Sequence, residues 1–208
     1  MPPTSTPSDS ETVPSKLSGR QVWILTLASA IVTANAYYIH PIVSVVAETF
    51  DVGPSMIGLV PAANQIALAV GIFFLLPLGD RYSNRTLTAL FVIGQFISIA
   101  LMALAQDFRL FLIGSTLLGF MTIAPYLLPA YASKRVDAAE LGKVTAILTT
   151  GIIAGILLAR AGAGVVAEYF GWRTVYYIAT ALMLAVTVTL PFSMDRREPS
   201  ADREEHTS

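Results

Sequence analysis

Arg160 is the one formal charge well inside an apolar stretch of this chain, and it raises the first chemical question. At such depth in hydrocarbon an arginine costs roughly 2.5–3.5 kcal/mol on insertion scales unless a partner or water answers it. Asn35 and Tyr38 lie at a similar depth and offer an amide oxygen and a hydroxyl. Three residues apart on a helix, they share a face. Arg160 therefore has two readings: a binding or gating residue facing a central cavity, or a structural tie between two helices. Asp80, with Arg81 and Arg85 beside it, closes another apolar run. A carboxylate there can accept from a helix N-terminus and pair with the arginines, forming a latch; the bland reading is ordinary flanking charge. His40, just before Pro41, is either a proton sensor or a tolerated amphipathic side chain near an interface.

The chain lacks the usual parts of an enzyme. It has no cysteine, which excludes disulfides and Cys-ligated metals. It has no paired histidines, no carboxylate deep in an apolar run and no glycine-rich loop opening a soluble helix; Gly162 and Gly164 lie in the middle of an apolar run. The expectation is no catalysis, no cofactor, no metal and no nucleic-acid partner. If transport is proton-driven, the usual carboxylate carrier is not here.

The elements that must position these residues follow from composition. The chain is 54% hydrophobic and 13% charged, with a mean hydropathy of +0.65, and the solvent that fits is a bilayer. Six apolar runs, near Val22–Val46, Met56–Leu78, Thr86–Ala105, Leu110–Ala132, Val144–Val166 and Thr174–Phe192, approach the ~20 residues that cross hydrocarbon. Backbone groups in lipid must bond within the segment, so the runs are helices; the period-two alternation of a β-barrel is missing.

The runs repeat. "GDRYSNRT" from Gly79 lies on "AEYFGWRT" from Ala167, an offset of 88 residues that also pairs Tyr38 with Tyr126 and Pro41 with Pro129. Each copy, about 21–106 and 109–194, holds three spans, so the second copy enters the bilayer from the other side. Inverted repeats of this kind mark secondary transporters. Lys16, Arg20, Arg81, Arg85, Lys134, Arg135, Lys143, Arg196, Arg197 and Arg203 fall on one side, and only Arg109 and Arg173 in loops on the other. The positive-inside rule then places both termini in the cytoplasm of a multi-pass inner-membrane protein. Residues 1–20, rich in Ser, Thr and Pro, read as a disordered tail, 21–194 as the bundle and 195–208 as a linker-like tail.

"NAYYIHP" from Asn35, "LLPLGDRYSNR" from Leu75, "APYLLP" from Ala124 and "GIIAGILLARAGAGVVAEYFGWR" from Gly151 together resemble the amino-terminal half of a major facilitator superfamily transporter. The narrower likeness is to bacterial drug and sugar efflux permeases. The resemblance implies an all-α membrane fold of six helices in two inverted three-helix repeats, with a second six-span half to follow. It implies that spans 1 and 4 line the cavity, which makes Asn35, Tyr38 and Tyr126, with Arg160, the substrate-binding candidates. It makes Asp80, Arg81 and Arg85 the gate. The family's cytoplasmic motif G-x-L-A-D-R-x-G-R-R is altered by Leu76, Ser83 and Asn84. The family's span 4 arginine is Ser115. The span 5 motif G-x-x-x-G-P-x-x-G-G keeps Gly151 and Gly155 but has Ile156, Ala159 and Arg160 in place of its proline and last glycines.

Gly151, Gly155, Ala159 and Gly162 form a small-residue stripe on span 5 where another helix can approach. By the resemblance, that helix belongs to the opposite half, and this chain alone leaves the stripe facing a missing neighbour. Asn64 and Gln65, close to mid-bilayer on span 2, read as helix-to-helix bonds, and Gln95 on span 3 reads as structural. The leading expectation is a transporter half that moves a small organic solute by alternating access, together with a second half or a second copy. Efflux and proton coupling go with that reading. The other is a non-transporting six-span subunit or remnant with a binding or regulatory role.

Overall fold

The computed structural model describes residues 17–133 and 135–194, without the side chain of Asp80. Most of the two expected tails, the Asp80 carboxylate and Lys134 therefore lie outside the described residues. Among those described, six helices are long and apolar enough to cross a membrane: Gly19–Thr49, Pro54–Gly79, Asn84–Leu104, Phe108–Ser133, Ala138–Phe170 and Trp172–Ser193, here spans 1 to 6. The observed helices outrun the apolar runs because polar caps and flanking turns extend them. Gly19 and Arg20, assigned to the tail by composition, form the first turn of span 1. Ser18 and Gln21 cap that turn reciprocally, Ser18 Oγ accepting from the Gln21 N–H and Gln21 Oε1 from the Ser18 N–H.

Spans 1 and 4 are each broken. Span 1 comprises helices Gly19–Ala34 and Ile39–Thr49, and span 4 comprises Phe108–Met121 and Ala124–Ser133. Proline explains both. In an unbroken helix the Pro41 ring would strike the Tyr37 carbonyl and the Pro125 ring the Met121 carbonyl, and neither proline donates an N–H. The chain responds with shorter-range bonds, Ala36 N–H to Thr33 O at 3.2 Å and Tyr37 N–H to Ala34 O at 2.9 Å in span 1, and Thr122 N–H to Gly119 O at 3.1 Å in span 4. The breaks, at 35–38 and at 122–123, overlap at Asn35 and Ile123, one repeat offset apart, although the repeat partner of Pro41, Pro129, lies inside a helix.

Packing follows the same exchange. Span 5 lies on span 1, and span 2 on span 4; span 3 meets span 6. A Cβ on Gly151 would collide with Thr26, and one on Gly155 with the Ala30 backbone. On the other side, a Cβ on Gly119 would collide with the Asn64 backbone. Asn64 Nδ2 donates to Ser115 O at 2.8 Å and Ser115 Oγ to Val60 O at 3.1 Å, so both polar groups are spent on joining spans 2 and 4.

These contacts correct one expectation. Gly151, Gly155 and Ala159 do not face a missing neighbour; they press on span 1 of the same chain, and Ala159 is buried. Gly162 does not share that seam. Open space surrounds it, because the buried row continues at helical spacing through Ala163.

Gln95 joins the two repeats at their breaks. Its Nε2 donates to Val32 O at 3.1 Å and to Thr122 Oγ1 at 2.7 Å. The Val32 carbonyl has lost its usual helical donor, the Ala36 N–H, to the break, and Gln95 satisfies it. At one end of the bundle Phe50, Phe111, Trp172 and Tyr176 pack ring to ring. Trp172 Nε1 donates to Thr49 Oγ1 at 2.9 Å there, and Arg173 donates to Ala105 O at 2.8 Å.

Candidate functional site

Arg160 stands ten residues before the end of span 5, which is about 15 Å along the axis. Its side chain is exposed on the bundle. The guanidinium carbon lies 5.4 Å from the centre of the Tyr37 ring, within cation–π range. The other face of that cluster is built by His40, whose ring stacks on Tyr37 at 5.6 Å and 24°. Tyr126, from the second half of span 4, is 45% exposed and lies within electrostatic reach of Tyr37.

The four residues read from the sequence thus divide. Arg160 clusters with Tyr37 and His40, whereas Tyr126 lines a cavity with Ile72 and Leu127. Asn35 and Tyr38 do not supply the partners expected for Arg160. Asn35 is buried with neither amide atom hydrogen-bonded, and Tyr38 packs half-buried against the core. The reason is the break itself: helical spacing put Asn35 and Tyr38 on one face, but residues 35–38 are not a regular α-helix. Tyr37, which sequence reasoning missed, takes the place given to Tyr38. Its one visible signal was the tandem tyrosine just before His40 and Pro41.

A second feature lies toward the end of span 2. Ile72, Leu76, Pro77 and Gly79 of span 2, Asn84 of span 3, and Tyr126, Leu127 and Ala130 of span 4 enclose a cavity of about 410 Å³. Arg81, next to it, is exposed and Arg85 half-buried. Arg135 was read only as a flanking charge. It is in fact buried, with its guanidinium 4.0 Å from the centre of the Tyr131 ring.

The profile of the Major Facilitator Superfamily matches residues 25–207. The chain belongs to the Major Facilitator Superfamily. It is 30% identical over 175 residues to the putative uncharacterized transporter YgaY of Escherichia coli K12, across 84% of this chain and 44% of that protein. It is 29% identical over 148 residues to the multidrug resistance protein MdtG of Citrobacter koseri, across 71% of this chain and 36% of the relative. The chain thus spans less than half the length of these relatives. Among solved structures, the POT family transporter PepTSo superposes with a TM-score of 0.69 at 16% identity, over 88% of this chain and 39% of that one. A bacterial homolog of the human lysosomal transporter Spinster, inward-facing and unoccupied, gives 0.68 at 17% identity, over 89% and 46%. Superfamily membership makes this a multi-pass membrane protein of a transporter family, not of an enzyme family.

Proposed function

We propose that these six spans form one bundle of an alternating-access transporter that moves a small organic solute across the bacterial inner membrane. The observation that carries this reading is the pair of breaks in spans 1 and 4, beside which His40, Arg160 and Tyr126 are exposed and Tyr37 half-exposed within membrane depth. Broken spans at such depth are tolerated where they line a cavity. A cavity wall needs an opposite wall. Spans 2 and 5 are each only 22% buried, against 61%, 50% and 56% for spans 1, 3 and 4. Their outward rows, with Ile66, Phe73 and Phe74 on span 2 and Leu157 and Leu158 on span 5, are apolar and exposed. A second six-span bundle, whether continuous with this chain, separately encoded or another copy, is the occupant that fits.

Efflux is the direction supported by the relatives named as multidrug resistance proteins. Proton coupling would draw on His40 or on the second bundle, since no carboxylate lies deep in these spans. Asp80, Arg81 and Arg85 serve as the gate in this reading, at the cytoplasmic face that also holds both termini. The test is reconstitution in liposomes. Saturable solute flux is expected from an assembly of two bundles and not from the six-span chain verified as a monomer by cross-linking. Cysteine probes at Asp107 and Ser83 report orientation in the parent cells, with only Asp107→Cys reacting from outside. Robust flux by the verified monomer overturns the two-bundle reading.

A further inference from the structure

Resting on the transporter reading of this face, we infer that the site around Arg160 selects a small planar organic anion, such as an aromatic carboxylate or sulfonate. Among the described residues no carboxylate bridges Arg160; its neighbour is the Tyr37 ring. Glu168, the next acid on the same helix, is eight residues further along, about 12 Å away by helical rise. Asp80, Asp107, Asp137 and Glu140 fall at span ends or in loops, as do Glu48 and Asp51. The positive charge is therefore uncompensated within the bundle, at a depth where that is costly. A cation–π contact answers one face of the guanidinium and leaves its N–H fork free to donate.

The shape of the surroundings narrows the ligand. The stacked rings of Tyr37 and His40 stand beside the guanidinium, and His40 is exposed. Room is left beside it, since a side chain added at Gly164, one turn beyond on the same face, would make only an ordinary 3.7 Å contact with Pro41. A guanidinium pairs bidentately with a planar carboxylate, and aromatic faces favour offset stacking with a flat apolar body. A cationic solute would meet the like charge of Arg160 with no carboxylate of this bundle to offset it.

The absence of cysteine from the chain allows a clean reporter. Gly164 stands one helical turn beyond Arg160 on the same face, and its added Cβ would make only an ordinary 3.7 Å contact with Pro41. In the full chain carrying Gly164→Cys, the rate of alkylation by N-ethylmaleimide is measured with 1-naphthoate, neutral 1-naphthamide or 1-naphthylmethylammonium present. Protection by 1-naphthoate is expected at a concentration at least about tenfold below that needed for the amide, the ratio that a charge-assisted bond supplies. Arg160→Gln should erase the ratio without changing protection by the amide, while Arg160→Lys should keep part of it. Equal protection by acid and amide, stronger protection by the cation, no protection by any probe, or a ratio that survives Arg160→Gln each overturns the inference. The transporter reading fails separately: acid-selective protection with no flux from any two-bundle assembly sinks transport and leaves the anion site, whereas flux with cation-selective protection does the reverse.

Discussion

Arg160 and Ile72 occupy the same position in the two repeats, yet their surroundings differ in kind. Arg160 is exposed beside the stacked rings of Tyr37 and His40, toward the far end of span 5. Ile72 lies in the wall of a cavity with Leu76, Leu127, Asn84 and Tyr126, near the opposite end of span 2. The repeat partner of Tyr37 is Pro125, and that of His40 is Leu128. Both repeats keep a proline-driven break and a close helix crossing, span 5 on span 1 and span 2 on span 4. Backbone devices answer to sterics and hydrogen bonding, which are the same in either orientation. Side chains beside the breaks answer to what they face, and there the two repeats have diverged: Arg160 stands beside aromatic rings in one, and the aliphatic Ile72 takes its place in the other.

The comparison is broken most severely at a crossing. Gly155→Leu should drive a side chain into the Ala30 backbone and cost more than the roughly 1–3 kcal/mol of ordinary overpacking, because backbone cannot step aside. Gly162→Leu, in open space, should be tolerated. Thermal unfolding of both variants in detergent, followed by size-exclusion, checks this; equal loss in the two would mean that the seam between spans 1 and 5 is misassigned.

Exchanging the chemistry of the two repeats should have the next largest effect. Ile72→Arg places a guanidinium in a largely aliphatic wall beside Leu76 and Leu127, at a cost of roughly 2.5–3.5 kcal/mol on insertion scales. Arg160→Ile should leave stability the same or higher. If Ile72→Arg folds as well as the parent by the same unfolding assay, the two regions are interchangeable and the divergence argued here has no energetic content.

Gln95 sharpens what the repeats share. Gln95→Leu would orphan the Val32 carbonyl and remove the bridge to Thr122, at about 1–3 kcal/mol for the buried acceptor left unsatisfied. The effect should appear as faster hydrogen exchange at the breaks of both spans 1 and 4. Faster exchange at one break alone would show that Gln95 serves a single repeat.

Much of this was legible before any coordinates. The six spans, their helical nature and the offset between repeats follow from apolar run length and residue identity, because hydrocarbon forces every backbone group to bond within its own segment. The interhelical bond of Asn64 was legible too, whereas Gln65, read in the same way, is exposed, and the structural role read for Gln95 did not name its partners. The partner of Arg160 was not legible. Periodicity treats span 1 as one continuous helix and so puts Asn35 and Tyr38 on a common face, whereas the turn at residues 35–38 buries Asn35, leaves Tyr38 against the core and brings Tyr37 to the guanidinium. The small-residue stripe of span 5 was readable as a contact surface, but not the identity of the helix it meets or the exclusion of Gly162. Sequence by itself determined which segments enter the membrane and which side chains cannot remain unpaired there, since those are local costs of solvation. Only the tertiary structure decided which partner meets each cost, because that depends on where two breaks and two glycine crossings set the helices against one another.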